Sequence, residues 1–129
     1  MIKVLFVEPM ASPMVIEIEQ NLKTLQTLVG GYIQAIYPWK DEVAILCDDE
    51  GKFKHNLLNR VIENDNGEVY DIIAGNFLVV GLTKDNFGSL SDEEIIYYRK
   101  KFYKTEVFAK TNDGHLIMFR GNEKARVVA

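Results

Sequence analysis

Ile2-Lys3-Val4-Leu5-Phe6-Val7-Glu8-Pro9, then Met14-Val15-Ile16-Glu17-Ile18-Glu19, then Asn21-Leu22-Lys23-Thr24-Leu25-Gln26-Thr27-Leu28-Val29-Gly30-Gly31: this stretch decides the fold. Residues 2–8 carry apolar side chains on both faces, which predicts a strand in the middle of a sheet. Pro9 and Pro13 bracket a turn. Residues 14–19 alternate, with Ile16 and Ile18 on one face and Glu17 and Glu19 on the other, as a half-buried strand does. The two strands read as a hairpin. Asn21 can cap a helix whose apolar stripe is Leu22, Leu25, Leu28 and Val29. Gly30-Gly31 ends it, because glycine takes the left-handed C-cap conformation without steric cost. Tyr32 to Tyr37 is strand-like and stops at Pro38. Val43 to Cys47 is a buried strand that runs into the turn Asp48-Asp49-Glu50-Gly51. The order strand, strand, helix, strand, strand predicts an α+β fold. Its expected form is a mixed sheet with one helix across it, a ββαββ (β-grasp-like) core.

Downstream the pattern loosens. Residues 52–71 are less regular, although Asn64-Asp65-Asn66-Gly67 is a strong turn. Asp71 to Gly75 reads as a short strand or a 3₁₀ turn. Phe77 to Leu82 adds a buried strand to the core, and Thr83 to Gly88 reads as a polar loop. Ser91-Asp92-Glu93-Glu94 is a capping box, with Leu90 and Ile95 placed as a hydrophobic staple. It opens a C-terminal helix with an apolar stripe of Ile95, Tyr98 and Phe102, widened by Ile96 and Tyr103. Arg99, Lys100, Lys101 and Lys104 lie near the negative end of its dipole. Thr111-Asn112-Asp113-Gly114 between apolar runs predicts a terminal hairpin. Residues 1–104 therefore read as one α+β domain, and 105–129 as an extension made of a hairpin and a loose end.

The chain has 129 residues, 47% of them hydrophobic. A chain of this size buries roughly two-thirds of its unfolded surface and needs neither metal nor disulfide to fold. Net charge is −4, from 15 Lys plus Arg against 19 Asp plus Glu. Nucleic-acid binders usually carry a basic bias, because each neutralised phosphate releases counterions, so nucleic acid is a disfavoured partner. Cys47 is the single cysteine, which fits a reducing compartment. The N-terminal apolar run meets Glu8 and Pro9 too soon for a signal segment or a membrane span. A cytoplasmic protein that does not enter membranes is expected.

The chemistry-bearing residues are scattered. His55, His115 and Cys47 lack the spacing of zinc ligands, and the acidic turns miss the spacing of a calcium loop. There is no nucleophile elbow. Cys47 follows Val43-Ala44-Ile45-Leu46, surroundings that leave a thiol inert. Gly30-Gly31 ends a helix, whereas an anion site needs the start of one. These absences predict a protein without catalytic residues, metal or cofactor. Four residues remain as binding candidates: Asn59, Arg60, Asp71 and Trp39. Asp71 sits between Tyr70 and the apolar Ile72-Ile73, and a half-buried aspartate wants a cationic or amide partner. Arg60 is the expected partner. Either the two form a structural ion pair, or Asn59, Arg60 and Asp71 converge on one concave pocket as a sensor of a small ligand or nucleotide. Trp39, after Pro38, is either an exposed anchor for a partner or a lid over the core. Residues 99–104, with their interleaved aromatics, read as an amphipathic helix end with a solvated basic face.

Several segments taken together resemble a known family. They are Met1-Ile2-Lys3-Val4 with Val7-Glu8-Pro9, Leu28-Val29-Gly30-Gly31-Tyr32-Ile33, Tyr37-Pro38, Leu58-Asn59-Arg60, and Gly67-Glu68-Val69-Tyr70-Asp71-Ile72-Ile73-Ala74-Gly75 with Phe77 and Gly81. The chain resembles, over about residues 1–103, an uncharacterised bacterial and phage domain family. The resemblance implies a phage, plasmid or conjugative-element setting, in some cases near antirestriction genes, and transfers no activity. The function expected is that of a non-catalytic protein-binding module, an accessory protein of a mobile element, with the ligand sensor as the alternative. Residues 116–119, if they form an edge strand, offer pairing to a second copy.

Overall fold

The N-terminal apolar run is strand β1 (Ile2–Val7), and the chain returns as β2 (Met14–Ile18), in a computed structural model that describes residues 1–129. The two strands pair antiparallel with Val4 opposite Ile16. Asn21 caps α1 (Leu22–Val29), its side chain accepting from the Thr24 amide at 2.8 Å. Gly30, at φ 89°, ends the helix in the left-handed conformation that its missing Cβ permits. Then come β3 (Ile33–Ile36) and β4 (Val43–Asp48), whose six residues are all buried. The remaining elements are β5 (Leu58–Glu63), β6 (Val69–Ala74), β7 (Phe77–Leu82), β8 (Phe87–Gly88), α2 (Asp92–Lys101), β9 (Glu106–Lys110), β10 (Leu116–Arg120) and β11 (Arg126–Val127). No helix is long and apolar enough to cross a membrane.

The principal sheet has the order β2-β1-β7-β4-β3, with β8 on the end of β7. The fold is α+β, but every pairing in this sheet is antiparallel, not mixed as the element order suggests. The reason is β7. Strands β1 and β4 point the same way, because α1 carries the chain from β2 to a β3 of the same direction, yet β1 and β4 are not paired. β7 runs between them in the opposite direction, with Leu78 opposite Phe6 on one side and Leu46 on the other. The parallel contact of a β-grasp sheet is thereby replaced by two antiparallel ones.

Each face of this sheet has its own cover. On one face α1 lays Leu25 and Val29 over Val4, Ile18, Ala44, Leu46, Leu78 and Val80. On the other, Leu5, Val7, Val43, Ile45, Phe77 and Val79 meet α2 and the β5–β6 hairpin. The capping box forms as its residues dictate: Ser91 Oγ accepts from the Glu94 amide, and Glu94 accepts from the Ser91 amide. Tyr98 and Phe102 are buried and Ile95 packs against them. Ile96 and Tyr103 do not widen this stripe. They are 70% and 60% exposed and face outward.

Much of the stretch 52–71 that looks irregular in sequence belongs to a hairpin: β5 and β6 pair around the Asn64–Gly67 turn, with two register shifts along them. A third sheet, β11-β10-β9, closes the chain. Residues 116–119 lie in its central strand, not at an edge: β9 pairs along all of them, and β11 pairs with Ile117 and Met118 on the other side. Where a loose end is expected, β11 pairs with β10, and Val128 packs with Val61 and Met118. The β9–β11 sheet is joined to β5 by the buried Glu106, whose carboxylate accepts from the Val61 amide at 2.8 Å.

Candidate functional site

Asn59 and Arg60 lie side by side in β5, and both are fully buried. Asn59 donates to the carbonyls of Val7 and Gly75 at 3.0 and 2.8 Å. Its own carbonyl oxygen accepts from Arg60 Nη1 at 2.8 Å. Arg60 Nε and Nη2 both donate to the Phe102 carbonyl, at 3.3 and 2.9 Å, and Nη2 also donates to the Ala11 carbonyl at 2.7 Å. Phe102 is the C-cap of α2, so a buried cation closes the negative end of that helix. Burial pulls the Arg60 pKa down, with Glu106 opposing and Arg120 reinforcing that pull. No buried side-chain nitrogen or oxygen lacks a partner, so this interior cluster is fully used in holding β1, β5, β6 and α2 together.

Asp71 is not the partner of Arg60. Its carboxylate takes Lys52 Nζ at 2.9 Å and its neighbour's amide, from Ile72, at 2.7 Å. The two stand diagonally on the hairpin, Arg60 opposite Ile73 and Asp71 opposite Ile62, but their side chains part, Arg60 reaching Phe102 and Ala11 and Asp71 reaching Lys52. Asp71 therefore lines a different cavity, of about 330 Å³, with Cys47, Lys52 and Phe53. The expected three-residue cluster does not converge. Trp39 is a lid, not an exposed anchor. It is 8% exposed, donates to the Glu63 carbonyl at 2.9 Å, and lies 4.7 Å from the Tyr98 ring. Cys47 is buried, and burial, with the charge of Asp71 adding to it, pushes its thiol up to about 11. His115 is at the surface near Asp113, and His55 stands at φ 57° in an exposed loop. Nowhere do three His, Cys, Asp or Glu side chains cluster as metal ligands do.

A concavity of about 670 Å³ opens instead between α2 and the C-terminal sheet. Arg99, Lys100, Lys101 and Lys104 enter it from α2 and the residues after it, and Arg120 enters from β10. Ile96 and Tyr103 supply apolar surface, and Glu123 is its one carboxylate. Arg99 and Lys100 are exposed and make no ion pair within the chain, while Lys101 reaches over the Trp39 ring at 5.8 Å. Arg120 is held firmly. Burial pulls its pKa down, but Glu106 at 2.8 Å and Glu63 at 3.2 Å outweigh burial and raise it. The sequence shows the basic cluster on the end of a helix but not the cleft, because its far wall is separated from α2 by a hairpin. The usable signal was the pair Ile96 and Tyr103, one position off the buried stripe.

The chain matches the family described as Domain of unknown function (DUF3846) over residues 2–103. No curated protein and no solved structure matches it.

Proposed function

We propose, for a chain that belongs to the family Domain of unknown function (DUF3846), that it works as a non-catalytic protein-binding module whose contact surface is the cleft between α2 and the C-terminal sheet. One observation carries the reading. Asn59 and Arg60 are spent inside the fold and Asp71 is paired with Lys52, whereas Arg99, Lys100, Ile96 and Tyr103 are exposed around one concavity with no partner for their charge or apolar surface. Aromatic and arginine side chains are the groups that anchor protein interfaces. Arg120 and the capped end of α2 are rigid supports, so the surface is pre-organised. The mobile-element setting is part of the proposal and is supported by the sequence resemblance alone. Residues 104–129 lie beyond the family match yet supply Lys104, Arg120 and Glu123, so the cleft depends on this chain's own C-terminal segment.

The test is affinity capture from host lysate with the tagged wild-type chain and with R99E/K100E. A protein retained by the first and lost from the second supports the reading. A protein retained equally by both places the contact surface elsewhere.

A further inference from the structure

Resting on that reading of the cleft, we infer that its occupant is an acidic segment of a protein partner, and that Glu123 holds the place of an incoming carboxylate. The cleft gathers five cations and one carboxylate. From totals of 15 and 19, the rest of the chain carries 10 cations against 18 acids, a net of −8. With Glu106 and Glu63 paired to Arg120 from behind, the five cations of the cleft meet three carboxylates, and the remaining charge of +2 on an acidic body draws an acidic ligand to this one place and repels it from the remaining surface. Arg60, buried beneath the end of α2 with only neutral acceptors, adds its charge from behind.

Glu123 is a weak internal ligand. Its carboxylate lies 3.4 Å from Lys104 Nζ and 3.9 Å from Arg120 Nη1, and its side chain is half exposed. Arg120, in contrast, is fixed from behind by Glu106 and Glu63. A partner carboxylate can therefore displace Glu123 without disturbing the wall. Exposed ion pairs at such distances contribute little, so exchange is easy in both directions. Two features favour a protein segment over nucleic acid. Phosphates repeat along a strand and call for an extended basic track, whereas these cations are confined to one end of α2 and one strand. In addition, Ile96 and Tyr103 offer an apolar seat that one hydrophobic side chain between acidic neighbours would fill.

Fluorescence anisotropy tests this with three labelled probes: a glutamate-rich peptide interrupted by one phenylalanine, its glutamine-rich counterpart, and an oligothymidylate of equal charge. The expected result is binding of the acidic peptide that weakens with salt and is lost in R99E/K100E, with little binding of the other two. E123Q should tighten the acidic peptide about three- to fivefold, the scale of one exposed ion pair. Tighter binding of the oligonucleotide, or no response to E123Q, overturns the inference. Cleft-dependent capture of a host protein, together with no binding of the acidic peptide, also overturns it while leaving the contact surface intact.

Discussion

The Arg60 guanidinium donates twice to the carbonyl of Phe102, the residue that closes α2. A strand in the middle of the protein thus fixes the end of the helix that carries the exposed cations. The brace also reaches Ala11, in the turn after β1, and Asn59 beside it. Fold and candidate surface are coupled through one buried side chain.

Removing that side chain leaves several buried carbonyl oxygens without donors. R60M is expected to lower stability by about 3 kcal/mol or more in urea unfolding. R60K keeps the charge but not the fork, and is expected to recover only part of the loss. Stability unchanged within about 0.5 kcal/mol in R60M would show that the brace is dispensable.

Cys47 is expected to be inert in the folded chain. A thiol-specific reagent at pH 8 should leave it unmodified in buffer and label it in denaturant, because its folded pKa is pushed up to about 11. The shift also sets a pH dependence. A group protonated more tightly when folded contributes stability that is complete below its ordinary range and is lost as pH rises through about 11. Replacement by alanine should flatten that alkaline slope. Rapid labelling of the native chain would contradict the burial.

Glu63 predicts the opposite slope at acid pH. Burial raises its pKa, but Arg126 at 2.9 Å and Arg120 at 3.2 Å outweigh burial and hold it below the usual carboxylate range. Its contribution is present above its ordinary pKa of about 4.3 and is lost as pH falls through the lower folded value. E63Q should cost about 1 kcal/mol at neutral pH, and less as pH falls through the lowered folded pKa and the wild-type carboxylate is itself protonated. Thermal melts of both proteins across that range check it, and parallel curves would refute it.

Gly81 permits a close crossing of β7 over the segment before α2. A Cβ placed there would stand 2.1 Å from the Ser89 carbonyl oxygen, which is backbone and has little room to yield. G81A is expected to cost about 2 kcal/mol or more by overpacking. Wild-type stability in that variant would mean that the two segments separate at small cost.

Signals in the sequence are legible where the chain acts locally. The Asn21 cap, the Gly30 stop, the Ser91 capping box and the Phe77–Leu82 strand stand where their residues place them. The β5–β6 hairpin was harder, because Asn59 and Arg60 interrupt its apolar pattern with polar groups that are nonetheless buried. Their partners are carbonyls of Val7, Gly75, Ala11 and Phe102, distant in sequence and carrying no side-chain signature. The same limit hid the direction of the sheet, since only the insertion of β7 between β1 and β4 decides it. The cleft needed Arg120 and Glu123 brought back beside α2, which no periodicity within the helix encodes.

The central claim is that the chain acts by contact through the surface at the C-terminal end of α2, where Ile96 and Tyr103 are exposed. Site-specific photocrosslinking in the native host tests it most directly, with the reactive side chain placed at Tyr103 and, as control, at Tyr32 beyond the end of α1. The account predicts a discrete protein adduct from the first position and none from the second. Adducts from Tyr32 alone, or the same adduct from both positions, would contradict it.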